Sequence, residues 1–235
     1  MKNLLAILVV LLFAQIGFGQ KEGELTKNDI DTIKGLEEFS DKAFDNNINA
    51  FQIKNCLNKE IYFIGTHHIG TKLYYQNIKS LIDSFHSKGY VVYYEGIRED
   101  TSNLGFMFKK QIGMKYKRIM GKNYNHNKSY SEVASFFKDL IAQPPNDSLG
   151  KIITDIEADV SVRDIVEYYE NKYGKVVDSI PQQKDYDLII NDINQTFRNK
   201  YLFSLISKSK HNSIVILFGD GHLSPLKEEF RNTCN

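Results

Sequence analysis

The chain has 235 residues, 42% apolar and 12% aromatic, with 30 Lys+Arg against 29 Asp+Glu, a composition that excludes a disordered chain and predicts one globular domain. A net charge of +1 without a long block of like charge excludes the clustered cations of a nucleic-acid binder. The longest apolar run, Leu4 to Phe13, is too short to cross a bilayer as a helix, so no mature transmembrane segment is expected.

Lys2, that apolar run and the small residues Gly17 and Gly19 stand in the order of a secretory signal peptide, with residues 1–19 removed and Gln20 first in the mature chain. The competing reading, a buried N-terminal helix, would lack any polar face. Export to the periplasm or beyond places Cys56 and Cys234 in an oxidising compartment, where they either form one disulfide or stay unpaired. Neither has the neighbouring Cys or His that a metal site of that type needs.

Residues 20–49 read as a polar entry segment with some helix, and residues 50–235 as a single α/β domain. Strands are predicted at Ala50–Cys56 and Ile61–Gly65, joined by the turn-prone Asn58-Lys59. Ile78, Leu81, Ile82 and Phe85 then mark one helical face, with Gly89 as its stop. Tyr90–Glu95 reads as a buried strand. From Arg98 to Lys128 the pattern loosens into a Lys-rich segment expected to be a flap or lid. Ser129 and Glu132 have capping-box spacing for a helix carrying Val133, Phe136, Phe137, Leu140 and Ile141. A third core strand is expected at Ile152–Ile156. Ser161 and Asp164 cap a helix with Val162, Ile165, Val166 and Tyr169, stopped at Gly174. The longest helix is predicted from Tyr186 to Lys208, and the last strand at Ile214–Phe218. Strands alternating with helices predict a mixed central sheet flanked by helices, parallel where helices cross over and antiparallel at the first hairpin.

In such sheets ligands bind beyond the strands' carboxyl ends, and three of the predicted strands end in unusual residues. These are Gly65-Thr66-His67-His68, Tyr94-Glu95-Gly96 and Gly219-Asp220-Gly221-His222. Two are Gly-x-x-His after an apolar strand, where the glycine is expected to let the backbone turn sharply. Two imidazoles and a carboxylate form a common first shell for a divalent transition metal (Mn, Co, Zn or Fe), which activates bound water or polarises a carbonyl. His68, His222 and Glu95 are therefore the candidate metal ligands, each weighed against an ordinary hydrogen-bonded role, and Glu95 and Arg198 the candidate catalytic residues. His67 competes with His68, because neighbours in an extended chain point oppositely. His86, His126 and His211 read as solvated. Arg198 reads either as an exposed helix residue or as the holder of a substrate carboxylate or oxyanion. Asp155, Glu157 and Asp159 alternate and could share a side, with Asp159 the candidate partner or base.

Phe63-Ile64-Gly65-Thr66-His67-His68, Tyr93-Tyr94-Glu95, Arg198-Asn199 and Phe218-Gly219-Asp220-Gly221-His222-Leu223 together resemble the TraB/PrgY/GumN family, which includes the TIKI metalloproteases. The resemblance spans about Ala50 to Arg231 and is specific at those four points; 98–184 has no counterpart. It implies an EreA/ChaN-like fold, His68 and His222 as the motif histidines, Glu95 as the carboxylate and Arg198 as the late arginine. The function expected on this basis is an exported, metal-dependent, peptidase-like hydrolase acting on a peptide or small molecule. A related branch, the ChaN-like lipoproteins, implies instead a non-catalytic haem- or ligand-binding protein, with Tyr93 or Tyr94 as a haem ligand. A third reading is a degenerate member that binds a partner through Phe106 to Ile112.

Overall fold

The computed structural model describes residues 38–99, 105–121, 126–176 and 186–233. The predicted signal peptide lies outside the described residues, as do Cys234 and the side chains of His126 and Ser129. Cys56 is disulfide-bonded.

The sheet has five strands in the order β1 (Ala50–Gln52), β2 (Glu60–Thr66), β7 (Ser213–Gly219), β4 (Val91–Tyr94) and β6 (Ile156–Glu157). Strand β1 pairs antiparallel with β2, and the other pairings are parallel, so the sheet is mixed as expected. Central β7 is an uninterrupted apolar run, Ile214 to Phe218, buried on both faces, as a strand covered by crossover helices must be. Its alternation divides the core. Val215 and Leu217, with Ile64, Val92 and Tyr94, meet Ile78, Ile82 and Phe85 of helix α1 (Lys72–Ser87). Ile214, Ile216 and Phe218, with Ile61, Phe63 and Tyr93, meet Leu202 and Ile206 of the long helix that ends at Lys208 and Leu226 and Phe230 of α6 (Leu223–Thr233). Helix α5 runs through Tyr186–Asn191, a π-helical segment Asp192–Phe197 and Arg198–Lys208, matching the predicted longest helix.

Two predicted caps act locally. The Ser161 hydroxyl accepts the Asp164 N–H while the Asp164 carboxylate accepts the Ser161 N–H, opening α4 (Val162–Tyr173). Gly89 follows α1 at φ +82°, a conformation open to glycine at no steric cost.

Four expectations need correction. The first strand stops at Gln52, because the Asn55 side chain donates to the Ile53 and Lys59 carbonyls and accepts the Leu57 N–H, closing a loop. The strand expected at Ile152–Ile156 shrinks to β6, because Asp155 accepts the N–H groups of Ile152 and Val92 and folds the preceding residues into an exposed turn. The helix α3 (His126–Ser135) contains Ser129 rather than being capped by it, and ends early. Leu140 and Ile141 instead belong to strand β5 (Leu140–Ala142), paired antiparallel with β3 (Ile69–Thr71), and Leu140 is buried beside Ile69, Ala43 and Ala134. Within 98–128, residues Phe106–Met120 form a regular helix, α2, whose Ile112, Ile119 and Met120 pack with Ile165, Val166 and Tyr169 of α4. Exposed Phe106, Met107, Phe108 and Met114 on the outer side hid that periodicity.

Candidate functional site

The carboxyl ends of β2, β7, β4 and β6 lie side by side, with Thr66 opposite Gly219 in register, and every motif predicted from the strand ends falls on this rim. Strand β7 runs into a tight turn, Asp220–His222, which delivers His222 to a buried position at the start of α6. The motif glycines serve close approach rather than turning. A side chain on Gly65 would strike the Asp220 carboxylate, whose Oδ1 lies 1.7 Å from the position of a Cβ, and one on Gly219 would crowd the Glu95 carboxylate at 3.3 Å.

Glu95 is the hub. Its Oε1 accepts from Arg198 Nη2 at 2.6 Å and its Oε2 from the Gly219 N–H at 2.6 Å, while His222 Nε2 faces Oε1 at 3.6 Å. Arg198, only 7% exposed, also donates through Nε and Nη2 to the two oxygens of Asp159, which is 1% exposed. Asp159 further accepts the N–H groups of Gly96 and Val160. The exposed reading of Arg198 is therefore corrected: two of its nitrogens are committed to protein carboxylates. Burial pushes the Glu95 carboxyl up, but His222, Arg198 and the Gly219 N–H outweigh it and hold the group well below the usual carboxylate range. Burial would likewise lower the Arg198 pKa, but Asp159 and Glu95 raise it above the ordinary value.

The tautomer of His222 follows from its neighbour. Asn199 Nδ2 donates to the Gln195 carbonyl inside the π-helical segment, which turns Asn199 Oδ1 toward His222 Nδ1 at 2.9 Å. An amide oxygen only accepts, so Nδ1 carries the proton and Nε2 is the nitrogen presented to Glu95. A π-helical turn places this pair, since Arg198 bonds back to Ile193 across five residues and both Arg198 and Asn199 are buried immediately after it.

The two histidines ending β2 part company. His67 Nε2 meets Asp220 Oδ2 at 2.6 Å and its ring stacks on Tyr74 at 5.0 Å. His68 points to the opposite side, where its ring stacks on Tyr130 of α3 at 4.5 Å. The Tyr130 hydroxyl pKa is raised by burial and by the Glu95 charge, so this side chain lies within electrostatic reach of the hub. Nothing in the spacing of 98–184 pointed to Tyr130, because it reaches the rim only through the fold of α3. The remaining candidates lie elsewhere. His86, expected to be solvated, pairs with buried Asp155 at 3.0 Å, and the partly buried His211 meets the Tyr93 hydroxyl at 3.2 Å. Asp155, Glu157 and Asp159 serve three different partners, since Glu157 bonds Tyr94 and Lys151. Tyr93 and Tyr94 are buried on opposite faces of β4 with both hydroxyls engaged inside the protein.

Two carboxylates and one guanidinium leave this buried cluster with an excess negative charge, which an imidazolium or a bound cation balances. The donor chemistry at that point, His222 Nε2 beside Glu95 Oε1, fits a divalent transition metal. The orphaned buried atoms His67 Nδ1 and Gln195 Oε1 border the same Asp220–His222 turn. Among the described residues no group of three or more His, Cys, Asp or Glu side chains is arranged to hold a metal. A cavity of about 760 Å³ is lined by Tyr94, Gly96, Arg98, Asn146, Lys151 and Glu157 and by none of Glu95, Arg198, Asp159 and His222; Asn146 on its wall donates to the Glu95 backbone carbonyl at 2.9 Å. Comparison with protein-family models, curated proteins and solved structures finds no match.

Proposed function

We propose that the protein is an exported hydrolase of the TraB/PrgY/GumN type, with an EreA/ChaN-like fold, acting on a peptide or small molecule at the Glu95–His222–Arg198 cluster. The observation that carries this reading is the His222 Nε2 to Glu95 Oε1 approach of 3.6 Å, with the opposite ring nitrogen fixed by Asn199. That is how a protein orients an imidazole whose free nitrogen must meet a ligand or a proton. His222 and Glu95 would hold a divalent transition metal, with His68, stacked on Tyr130, the further candidate. When bound, the metal supplies Lewis-acid polarisation of a substrate carbonyl.

The roles of the protein groups follow from their surroundings. A carboxylate held far below its usual range is a weak base, so Glu95 acts as a fixed negative charge and ligand rather than as the proton acceptor. His222 would be the second ligand, through Nε2, with its ring held by the Asn199 contact at Nδ1. Arg198, committed to Asp159 and Glu95, positions the carboxylate.

Elemental analysis of the protein purified without chelator tests the reading, beside the variants His222→Ala and Glu95→Gln. Near-stoichiometric transition metal in the native protein and its loss in both variants is expected. Negligible metal in all three after incubation with Zn, Mn, Co and Fe salts overturns it. Retention in Glu95→Gln with lost peptide hydrolysis would make Glu95 the base instead of a ligand.

A further inference from the structure

The π-helical segment of α5, which places Arg198 and Asn199, is gripped at both ends by one side chain of α4. The Tyr168 hydroxyl donates to Asp192 Oδ2 at 2.7 Å, where the segment starts. The ring of the same Tyr168 stacks on Phe197, where the segment ends, with centroids 4.1 Å apart. Hydrogen bonds that span five residues bring residues five apart onto one side of the axis, whereas in an α-helix they stand about 140° apart around it. Asp192 and Phe197 are five apart, as are Ile193 and Arg198, whose backbone bond closes the turn. Two other groups of α4 reach the same Asp192 oxygen: Lys172 Nζ at 2.9 Å and the Tyr173 hydroxyl at 2.7 Å, the Tyr173 ring packing on Tyr169.

We propose that Tyr168 is a positioning residue for the Glu95–His222–Arg198 cluster: by clamping both ends of the π turn, it keeps Arg198 on Glu95 and Asn199 on His222. The inference rests on the reading of that cluster as the reactive site. Ile189 and Ile190, before the turn, are buried with α2 and α4, while Leu202 and Ile206, after it, are buried against the sheet. The extra residue in the turn sets the angle between those two buried faces, and Arg198 and Asn199 stand at the step. An α-helical continuation would rotate one side against the other by about 100°, one residue's turn, and would pull the guanidinium from Glu95 or the amide from His222. The π turn is the rarer geometry and is kept by contacts that exist while residues five apart share a side. Tyr168 makes two such contacts at once from a helix whose Ile165, Val166 and Tyr169 are buried.

Imidazole proton–nitrogen correlation spectra of the nitrogen-15-labelled protein read the His222 Nδ1 proton, assigned by its loss in His222→Gln. In the native protein the Asn199 contact should protect this proton from exchange with water. Tyr168→Phe keeps the ring on Phe197 but removes the hydroxyl from Asp192, and exchange should quicken about fivefold. Tyr168→Leu removes both contacts and should abolish the signal. Tyr173→Phe deletes a bond of the same length to the same oxygen without touching the stack, and should leave exchange unchanged. Backbone amides of β7, which open with the whole fold, are the reference and should not move in any variant. Unchanged exchange in Tyr168→Phe overturns the proposal, as does equal quickening in Tyr173→Phe, equal quickening of the β7 amides, or an unprotected Nδ1 proton in the native protein. If Tyr168→Leu fails to fold, Tyr168→Phe decides by the same criteria. The readout needs no metal, so a native protein that takes up none would overturn the proposed hydrolase and leave the clamp standing.

Discussion

The guanidinium of Arg198 grips Asp159 at two points, Nε to Oδ1 at 2.9 Å and Nη2 to Oδ2 at 2.5 Å, while the same Nη2 reaches Glu95. Two strand ends, β4 and β6, are thereby tied to one helix, α5. Removing one partner of a buried ion pair strands the other charge, so Asp159→Ala should lower the unfolding free energy by about 3–5 kcal/mol. Urea denaturation measures it. A loss within the range of ordinary surface substitutions would show that Arg198 finds solvent or another partner.

Glu95 sets an acid limit on stability. Its folded-state pKa lies below the ordinary carboxylate value, so its contribution is fully present above that ordinary value and is lost as pH falls through the folded one. Stability should therefore decline progressively below about pH 5. In Glu95→Gln this part of the decline should be absent, leaving a shallower acid limb in a pH series of denaturation midpoints.

Gly65 and Asp220 are coupled by space. A methyl group on Gly65 meets the Asp220 carboxylate, so Gly65→Ala should cost about 1–3 kcal/mol, the usual range for overpacking. Asp220→Ala in the same chain should recover most of that loss. Strict additivity of the two substitutions in thermal unfolding would contradict the contact.

Asn199 has no direct contact with a substrate in this reading, yet it fixes the His222 ring. Asn199→Ala should weaken transition-metal affinity by about 10–100-fold while leaving the fold intact. Competition with a fluorescent chelator measures the change, and unchanged affinity would argue against His222 as a ligand.

Much of the scaffold was legible because it is written in short-range signals. The apolar run Ile214–Phe218, the Ser161/Asp164 cap and the helical spacing of Ile78, Ile82 and Phe85 each depend on residues within a turn or two, and each appears where the pattern put it. Misreadings arose where a side chain competed with the backbone. Asp155 captured the N–H groups of Ile152 and Val92 and shortened a strand, and β3 captured Leu140–Ala142 from a helix.

That two Gly-x-x-His motifs and a Glu end apolar strands follows from residue order alone, because apolar patterning and glycine placement are local. Which of these groups meet depends on how the strands are ordered and packed in three dimensions. Parallel pairing of β2 and β4 on either side of β7 brings Glu95 to Gly219 and His222, and the π-helical turn of α5 supplies Arg198 and Asn199 from beyond the sheet. The packing also separated His67 from His68, since successive side chains leave an extended chain on opposite sides and different neighbours, Tyr74 and Tyr130, await them. The physical reason is range: periodicity and capping act over a few residues, whereas the charge balance of Glu95, Asp159 and Arg198 joins groups up to 103 positions apart.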